Sequence, residues 1–493
     1  MQPYKPTWTS LSSHPFPTWL RDAKFGIYTH WGPYSVAGYG GARQFLNGSW
    51  YARHMYLTDA REYDYHCKHF GTPSKTLGYK DLIPQFTAEK FDAAEWADLF
   101  ARSGAKFAGP VAAHHDNFAM WNSQVNPWNA AKMGPKRDVT GELAKAIRAE
   151  GMSFIATFHN AYNWWFFPKS EAFDTLDPAC EMLYSRCKQE RDLPDQQYHE
   201  DWRDMVFEVI EKYEPDLLWF DFGLGLLRDR YRREFLAHYY NKAAAWGREV
   251  AVTYKKTGAG YNLPPLTAML DFEVGKMNEL TPHPWISDTS IDTGFGGSWS
   301  HVRNVGFKSA ERLVHNLVDR VSKNGYLLLN IGPRADGTIP EGAQESLEKM
   351  GDWLRINGEA IYGTVPWLHA EEGPTKGAAS GDFNEGAELR FNSQDIRYTS
   401  KDNDVYATCL GRPGERVTMK VFLDRTDDSN EVLTGTGPIR NAQYLYPEDI
   451  ARITMLGHDG SLPWEFDDDG LQVDLPRKVP SEIAVSLKIE TLG

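Results

Sequence analysis

Short apolar, β-rich runs alternate with amphipathic helical patterns along roughly the first 360 residues. The runs are Lys24–His30 (KFGIYTH), Phe107–His115 (FAGPVAAHH), Ser153–His159 (SFIATFH), Asp216–Phe222 (DLLWFDF), Glu249–Lys255 (EVAVTYK), Met269–Glu273 (MLDFE) and Tyr326–Ile331 (YLLLNI). Between them lie helical stretches such as Ala93–Ser103, Gly141–Glu150, Asp201–Tyr213 and Ala310–Val321. Strand–helix alternation of this kind predicts parallel βαβ units. Almost every run ends in a group able to do chemistry: His30, His114 and His115, His159, Asp221, Lys255, Glu273. A closed barrel brings all its strand C-termini to one mouth, whereas an open sheet gathers ligands only at its switch point. With no GxGxxG or P-loop motif in the chain, the predicted fold is α/β, a (β/α)8-like barrel over residues 1–367.

After Trp367 the pattern changes. Glu371–Gly386 (EEGPTKGAASGDFNEG) reads as a linker or long loop. Alternating runs follow at Glu388–Phe391, Asp404–Leu410, Val417–Leu423 and Ile483–Ile489, which predict a C-terminal all-β sandwich domain over 368–493. It shows no clustered histidines and no paired carboxylates at an apolar strand end, so its expected role is support of the barrel.

Composition narrows the function. Lys and Arg number 53 against 67 Asp and Glu, a formal charge of −14 that disfavours a nucleic-acid or anionic-membrane partner. The four cysteines form no CxxC, against a zinc module or disulfide scaffold. No run approaches the ~18 apolar residues of a membrane span, and Met1–Leu20 has no apolar signal core, so a cytoplasmic protein or one that has lost a leader is expected. Aromatic residues make up 13 % of the chain. They serve either a large core or a cleft whose flat faces pack on sugar rings.

A charge at the end of a buried strand is costly unless paired or used. Asp221, straight after Leu-Leu-Trp-Phe, is therefore a candidate nucleophile or general base, with helix capping or a structural ion pair as the alternative. Glycoside hydrolysis needs a second carboxyl. The candidates are Asp271, Glu273, Glu279 and Asp288; Glu273 follows an apolar run most closely, and Glu279 looks loop-borne. His114–His115–Asp116 raises the question of a metal. Adjacent histidines on an extended chain point to opposite sides, which favours hydrogen bonding to substrate hydroxyls over shared ligation.

Several segments resemble the α-L-fucosidases of glycoside hydrolase family 29. They are Lys24–Ser35 (KFGIYTHWGPYS), Trp50–Tyr56 (WYARHMY), His114–Phe118 (HHDNF) with Trp121, Gly134–Glu142 (GPKRDVTGE), Pro215–Gly223 (PDLLWFDFG), Asn324–Gly337 (NGYLLLNIGPRADG) and Asn357–Trp367 (NGEAIYGTVPW). The resemblance implies a retaining mechanism without metal or organic cofactor, on a barrel followed by a β-sandwich, with a fucosylated oligosaccharide or glycoconjugate as substrate. It makes Asp221 the nucleophile and His30, His114 and His115 contacts to fucose hydroxyls. Trp50 would bind the sugar, Trp219 and Trp299 would wall its C6 methyl, and His159 stands where many members place a tyrosine. Trp164 and Trp165 would extend the pocket.

The chain also departs from the family pattern. Ser49–Trp50 replaces a common Glu-Trp, and Trp285–Ile286 replaces Trp-Glu, which moves the acid/base role onto Glu273. Lys255 and Lys256 stand in place of a common arginine, with Lys255 expected at the substrate. These departures resemble the branch that acts on α-1,3/1,4-linked fucose. Two rival readings are a metal-dependent barrel hydrolase with His30, His114, His115 and Asp221 as ligands, and a non-catalytic fucose-binding protein.

Overall fold

The computed structural model describes residues 3–41, 47–189, 191–256, 260–294, 296–377, 379–385, 390–423 and 445–492. Eight parallel strands close into a barrel in chain order. They are β1 (Phe25–Thr29), β2 (Phe107–Ala113), β3 (Ser153–Phe158), β4 (Leu217–Phe220), β5 (Ala251–Lys255), β6 (Met269–Asp271), β7 (Trp285–Ser290) and β8 (Gly325–Ile331). β8 pairs back onto β1, from Phe25 opposite Leu327 to Thr29 opposite Ile331. Strands β1, β2 and β8 are buried throughout, as parallel strands covered by helices must be. Bulky side chains fill the lumen, and glycines make room for them. A Cβ on Gly26 would lie 2.1 Å from the Phe107 ring, and one on Gly325 would lie 2.4 Å from the Trp285 ring.

The apolar runs of the sequence predict seven of these strands but not β7. Its run Trp-Ile-Ser-Asp-Thr-Ser is polar, yet every residue in it is buried. Tyr28 donates to Asp288 at 2.8 Å, Ser287 donates to the Gly275 carbonyl at 2.8 Å, and Lys308 donates to Thr289 at 2.7 Å. These side-chain partners replace the apolar burial that normally announces an interior strand.

Among the described residues, six long helices cover the barrel: α1 (Ala93–Arg102), α2 (Val139–Ala149), α3 (Gln196–Tyr213), α4 (Asp229–Trp246), α5 (Ala310–Ser322) and α6 (Glu341–Asn357). Their starts are written locally. Asp92 caps α1 by accepting from Ala94 and Glu95, and Asp195 caps α3 by accepting from Tyr198 at 2.7 Å. Among the described residues, β5 leads to β6 and β6 to β7 with no helix between them. No described helix is long and apolar enough to cross a membrane.

The C-terminal part holds β9 (Val365–Glu372), β10 (Ile396–Lys401), β11 (Asp404–Cys409), β12 (Arg416–Met419), β13 (Ile450–Met455), β14 (Trp464–Asp467), β15 (Gly470–Asp474) and β16 (Val485–Thr491). They form antiparallel sheets ordered β13-β16-β11-β10-β9 and β12-β15-β14, with a separate apolar core between them. The boundary expected at 367 falls inside β9. Of the expected strand Glu388–Phe391, Glu388 and Leu389 lie outside the described residues, and Arg390 and Phe391 are irregular. The domain docks on α5 through a buried ion cluster, in which Asp319 meets Arg397 at 2.6 Å and Lys323 at 2.8 Å, and Lys323 meets Glu371 at 2.8 Å.

Beyond β9, the described residues of the stretch expected as a linker or long loop are a loop packed against the barrel. From Gly381 to Glu385 it returns to the barrel and pairs with the chain that follows β6. Gly381 and Lys276 exchange backbone hydrogen bonds, Phe383 N–H donates to the Glu273 carbonyl at 2.7 Å, and Glu385 N–H donates to Val274 at 2.9 Å. The flank around β6, where no described helix lies, is thus covered by a segment from beyond the barrel.

Candidate active site

At the C-terminal ends of the strands opens a cavity of about 550 Å³, within the ~300–1,000 Å³ usual for small-ligand sites. His30, Trp50, His114, His115, His159, Asp221, Lys255, Glu273 and Trp299 all line it. Trp219, Asp271, Trp164, Trp165 and Glu279 do not. Trp219 is wholly buried beneath the floor, its indole donating to Asp271 at 2.8 Å and its ring 4.9 Å below the Lys255 ammonium. Of the two tryptophans expected to wall the sugar, Trp299 lines the cavity and Trp219 does not. Trp164 and Trp165 turn away, both donating to the Asp192 carbonyl, and Glu279 is exposed and absent from the lining.

His114 and His115 both face the cavity, with ring centroids 4.6 Å apart. The expectation that adjacent histidines diverge fails because β2 ends at Ala113 and the chain turns there. His30 is seated by Asn330 Oδ1 at 2.8 Å from its Nδ1. Burial pushes the His30 imidazole down to about 3, and burial with the neighbouring rings pushes His114 and His159 well below the ordinary value. Neutral rings each offer one donor and one acceptor, the pattern a sugar hydroxyl matches.

One lysine ties the carboxyls together. Lys255 Nζ lies 3.3 Å from Asp221 Oδ1, 3.0 Å from Glu273 Oε2 and 2.9 Å from Asp288 Oδ2. On its other oxygen Asp221 meets His115 Nε2 at 3.2 Å. Burial would raise the Asp221 carboxyl, but Lys255 and His115 outweigh it and hold the group well below the usual carboxylate range. Glu273 goes the other way: burial, reinforced by Asp288 and Asp221 against the pull of Lys255, pushes it up to about 7. Beneath them, burial and the neighbouring Asp288 push Asp271 well above the ordinary aspartate value. Two carboxyls with pKa values driven apart are the signature of divided acid and nucleophile duties.

Sequence reasoning missed Asn47, Ser49, His54, Phe222 and Phe383 of the lining. His54 and Phe222 stood inside segments already singled out. Phe383 carried no signal, because it lies in the supposed linker or long loop. Trp299 has φ +59°, a strained conformation for a bulky residue, and its carbonyl is held by Asn330 Nδ2.

The chemistry this arrangement supports is cleavage of a glycosidic bond, and the molecule is a glycoside hydrolase. Comparison with known proteins narrows the class. The family described as Alpha-L-fucosidase matches residues 1–359, and its Alpha-L-fucosidase C-terminal domain matches 391–490. The tissue alpha-L-fucosidase of Rattus norvegicus is 31 % identical over 498 residues, covering 98 % of this chain and 90 % of the relative. The plasma alpha-L-fucosidase of Homo sapiens is 31 % identical over 484 residues, covering 96 % and 89 %. The crystal structure of Thermotoga maritima alpha-fucosidase with a mechanism-based inhibitor superposes with a TM-score of 0.76 at 30 % identity, covering 99 % of each chain. The chain belongs to the α-L-fucosidase family.

Proposed function

We propose that the protein removes terminal α-L-fucosyl residues by double displacement, with Asp221 as nucleophile and Glu273 as acid and then base. The observation that carries this reading is the shared lysine. Carboxyl oxygens at 3.3 and 3.0 Å from one nitrogen lie closer together than the ~6.5–9.5 Å that an inverting enzyme needs for its water. Asp221, ionised, attacks the anomeric carbon while protonated Glu273 gives its proton to the leaving oxygen. Glu273 then takes a proton from the water that cleaves the fucosyl ester. Esterification removes the charge of Asp221 and leaves Lys255 dominant beside Glu273, which favours the carboxylate when a base is needed. His30, His114, His115 and His159 hold the sugar hydroxyls, and Trp50 and Trp299 flank the ring. We carry the α-1,3/1,4 preference forward with this proposal; a panel of α-1,2, α-1,3, α-1,4 and α-1,6 fucosides tests it.

Asp288 raises Glu273 by its negative charge, so Asp288→Asn shifts the basic limb of kcat/KM to lower pH by roughly a unit. Asp271→Asn leaves that limb in place, because the charges that set Glu273 are those of Lys255, Asp288 and Asp221. A pH profile of both variants decides; equal shifts in the two would refute the division of charge. The groups facing Glu273 are Lys255, Asp221, Asp288 and, from the returning segment, Asp382, whose Oδ1 accepts from Glu273 N–H at 2.9 Å.

A second reading has one observation behind it. His30, His114 and His159 bring ring nitrogens to within 4.8 Å of one another, a grouping able to hold a transition metal and different from the ligand set expected from the sequence. The double-displacement reading expects turnover of a nitrophenyl α-L-fucoside to survive exhaustive chelation. Loss of turnover that zinc restores would favour the metal.

A further inference from the structure

The returning segment does more than cover the barrel flank. It places an exposed aromatic ring at the rim of the cavity, immediately beside the proposed acid. Exposure rises along the cavity from floor to rim: Asp221 is 4 % exposed, the Glu273 side chain 20 %, and Phe383 56 %. The donated proton goes to the oxygen between fucose and its leaving group, so the leaving group must lie on the outer side of Glu273. Phe383 stands there, its N–H on the Glu273 carbonyl and its neighbour Asp382 on the Glu273 N–H.

The placement is built rigidly. Val274 and Phe383, on opposite strands of this contact, have φ of +45° and +53°, conformations that bulky residues adopt only when the surroundings impose them. Glu385, two residues on, is buried against the barrel with Lys308 at 2.7 Å and Arg320 at 3.2 Å. Removing such a carboxylate would leave buried cations uncompensated, so the anchor is strong in position. An exposed phenyl ring held at fixed height beside a proton donor suits the apolar C–H face of a pyranose.

We propose that Phe383 is the platform for the leaving-group sugar, so that the C-terminal part of the chain contributes the site for the residue to which fucose is attached. The ligand class is a neutral hexopyranose, and the inference rests on the fucosidase reading above. The test compares kcat/KM of the full-length wild type, Phe383→Ala and Phe383→Tyr on two substrates. One is a fucosyl disaccharide; the other is α-L-fucosyl fluoride, whose leaving group carries no sugar. Phe383→Ala is expected to lose about tenfold on the disaccharide and to stay within about twofold on the fluoride, with Phe383→Tyr restoring the disaccharide rate. Equal losses on both substrates, or no loss on the disaccharide, overturn the platform while leaving the fucosidase intact. A wild type that turns over neither substrate overturns the parent reading, and this one with it.

Discussion

Asp221→Gly lowers turnover of a nitrophenyl α-L-fucoside by on the order of 10⁴-fold or more, because no other group replaces the attacking carboxylate. His115 and Lys255, which hold Asp221 on its two oxygens, remain in place, so fucose should still bind. Azide then enters the vacated space and attacks from the nucleophile's face, restoring turnover and giving fucosyl azide of inverted β configuration. The azide product and its anomeric configuration are read by NMR. Residual activity within about tenfold of the wild type would remove Asp221 from the role.

Glu273→Ala has the second largest effect, and a differently shaped one. Loss of a general acid costs about 10²–10⁴-fold where the leaving group needs a proton, and much less where it does not. The variant should therefore be crippled on fucosyl disaccharides and milder on nitrophenyl fucoside. Azide here attacks the fucosyl-enzyme and gives the retained α azide. The pH dependence has a definite sign. Glu273 is the active acid only while protonated, so kcat/KM is present below about 7 and lost as pH rises through it. On the acid side Asp221, held low by Lys255 and His115, stays ionised and imposes no early limb. Glu273→Gln removes the basic limb along with most of the rate. A small, uniform loss across leaving groups would move the acid role to Asp288, the other carboxyl in contact with Lys255.

The barrel was legible in the sequence because its signal is repetitive: apolar runs, helical spacers, and polar groups at the run ends. That same signal brought His30, His159, Asp221, Lys255 and Glu273 to one mouth. Three features escaped it for separable reasons. β7 hides because hydrogen bonds from Tyr28 and Lys308 satisfy its polar side chains, so its burial leaves no apolar trace. Trp219 and Asp221 lie on one strand end, but depth is not written in spacing, and the indole sits under the floor. The histidine pair was read as extended chain when β2 had already ended at Ala113. Phe383 shows the limit most plainly. Its neighbours are glycine, aspartate and asparagine, the composition of a loop, and only pairing with residues more than a hundred positions earlier gives it a place.

That pairing has a consequence for how the site comes into being. Backbone contacts between 273–276 and 381–385 close a loop of over one hundred residues, among the slower events in folding. Chains fold from the N-terminus as they are synthesised. A nascent chain that has emerged through α6 already carries the histidines, Asp221, Lys255 and Glu273, but one side of the mouth is missing. The wall beside Glu273 is set only when residues 381–385 have been made and have paired with 273–276. Completion of the catalytic cleft is therefore tied to a segment synthesised after the whole barrel.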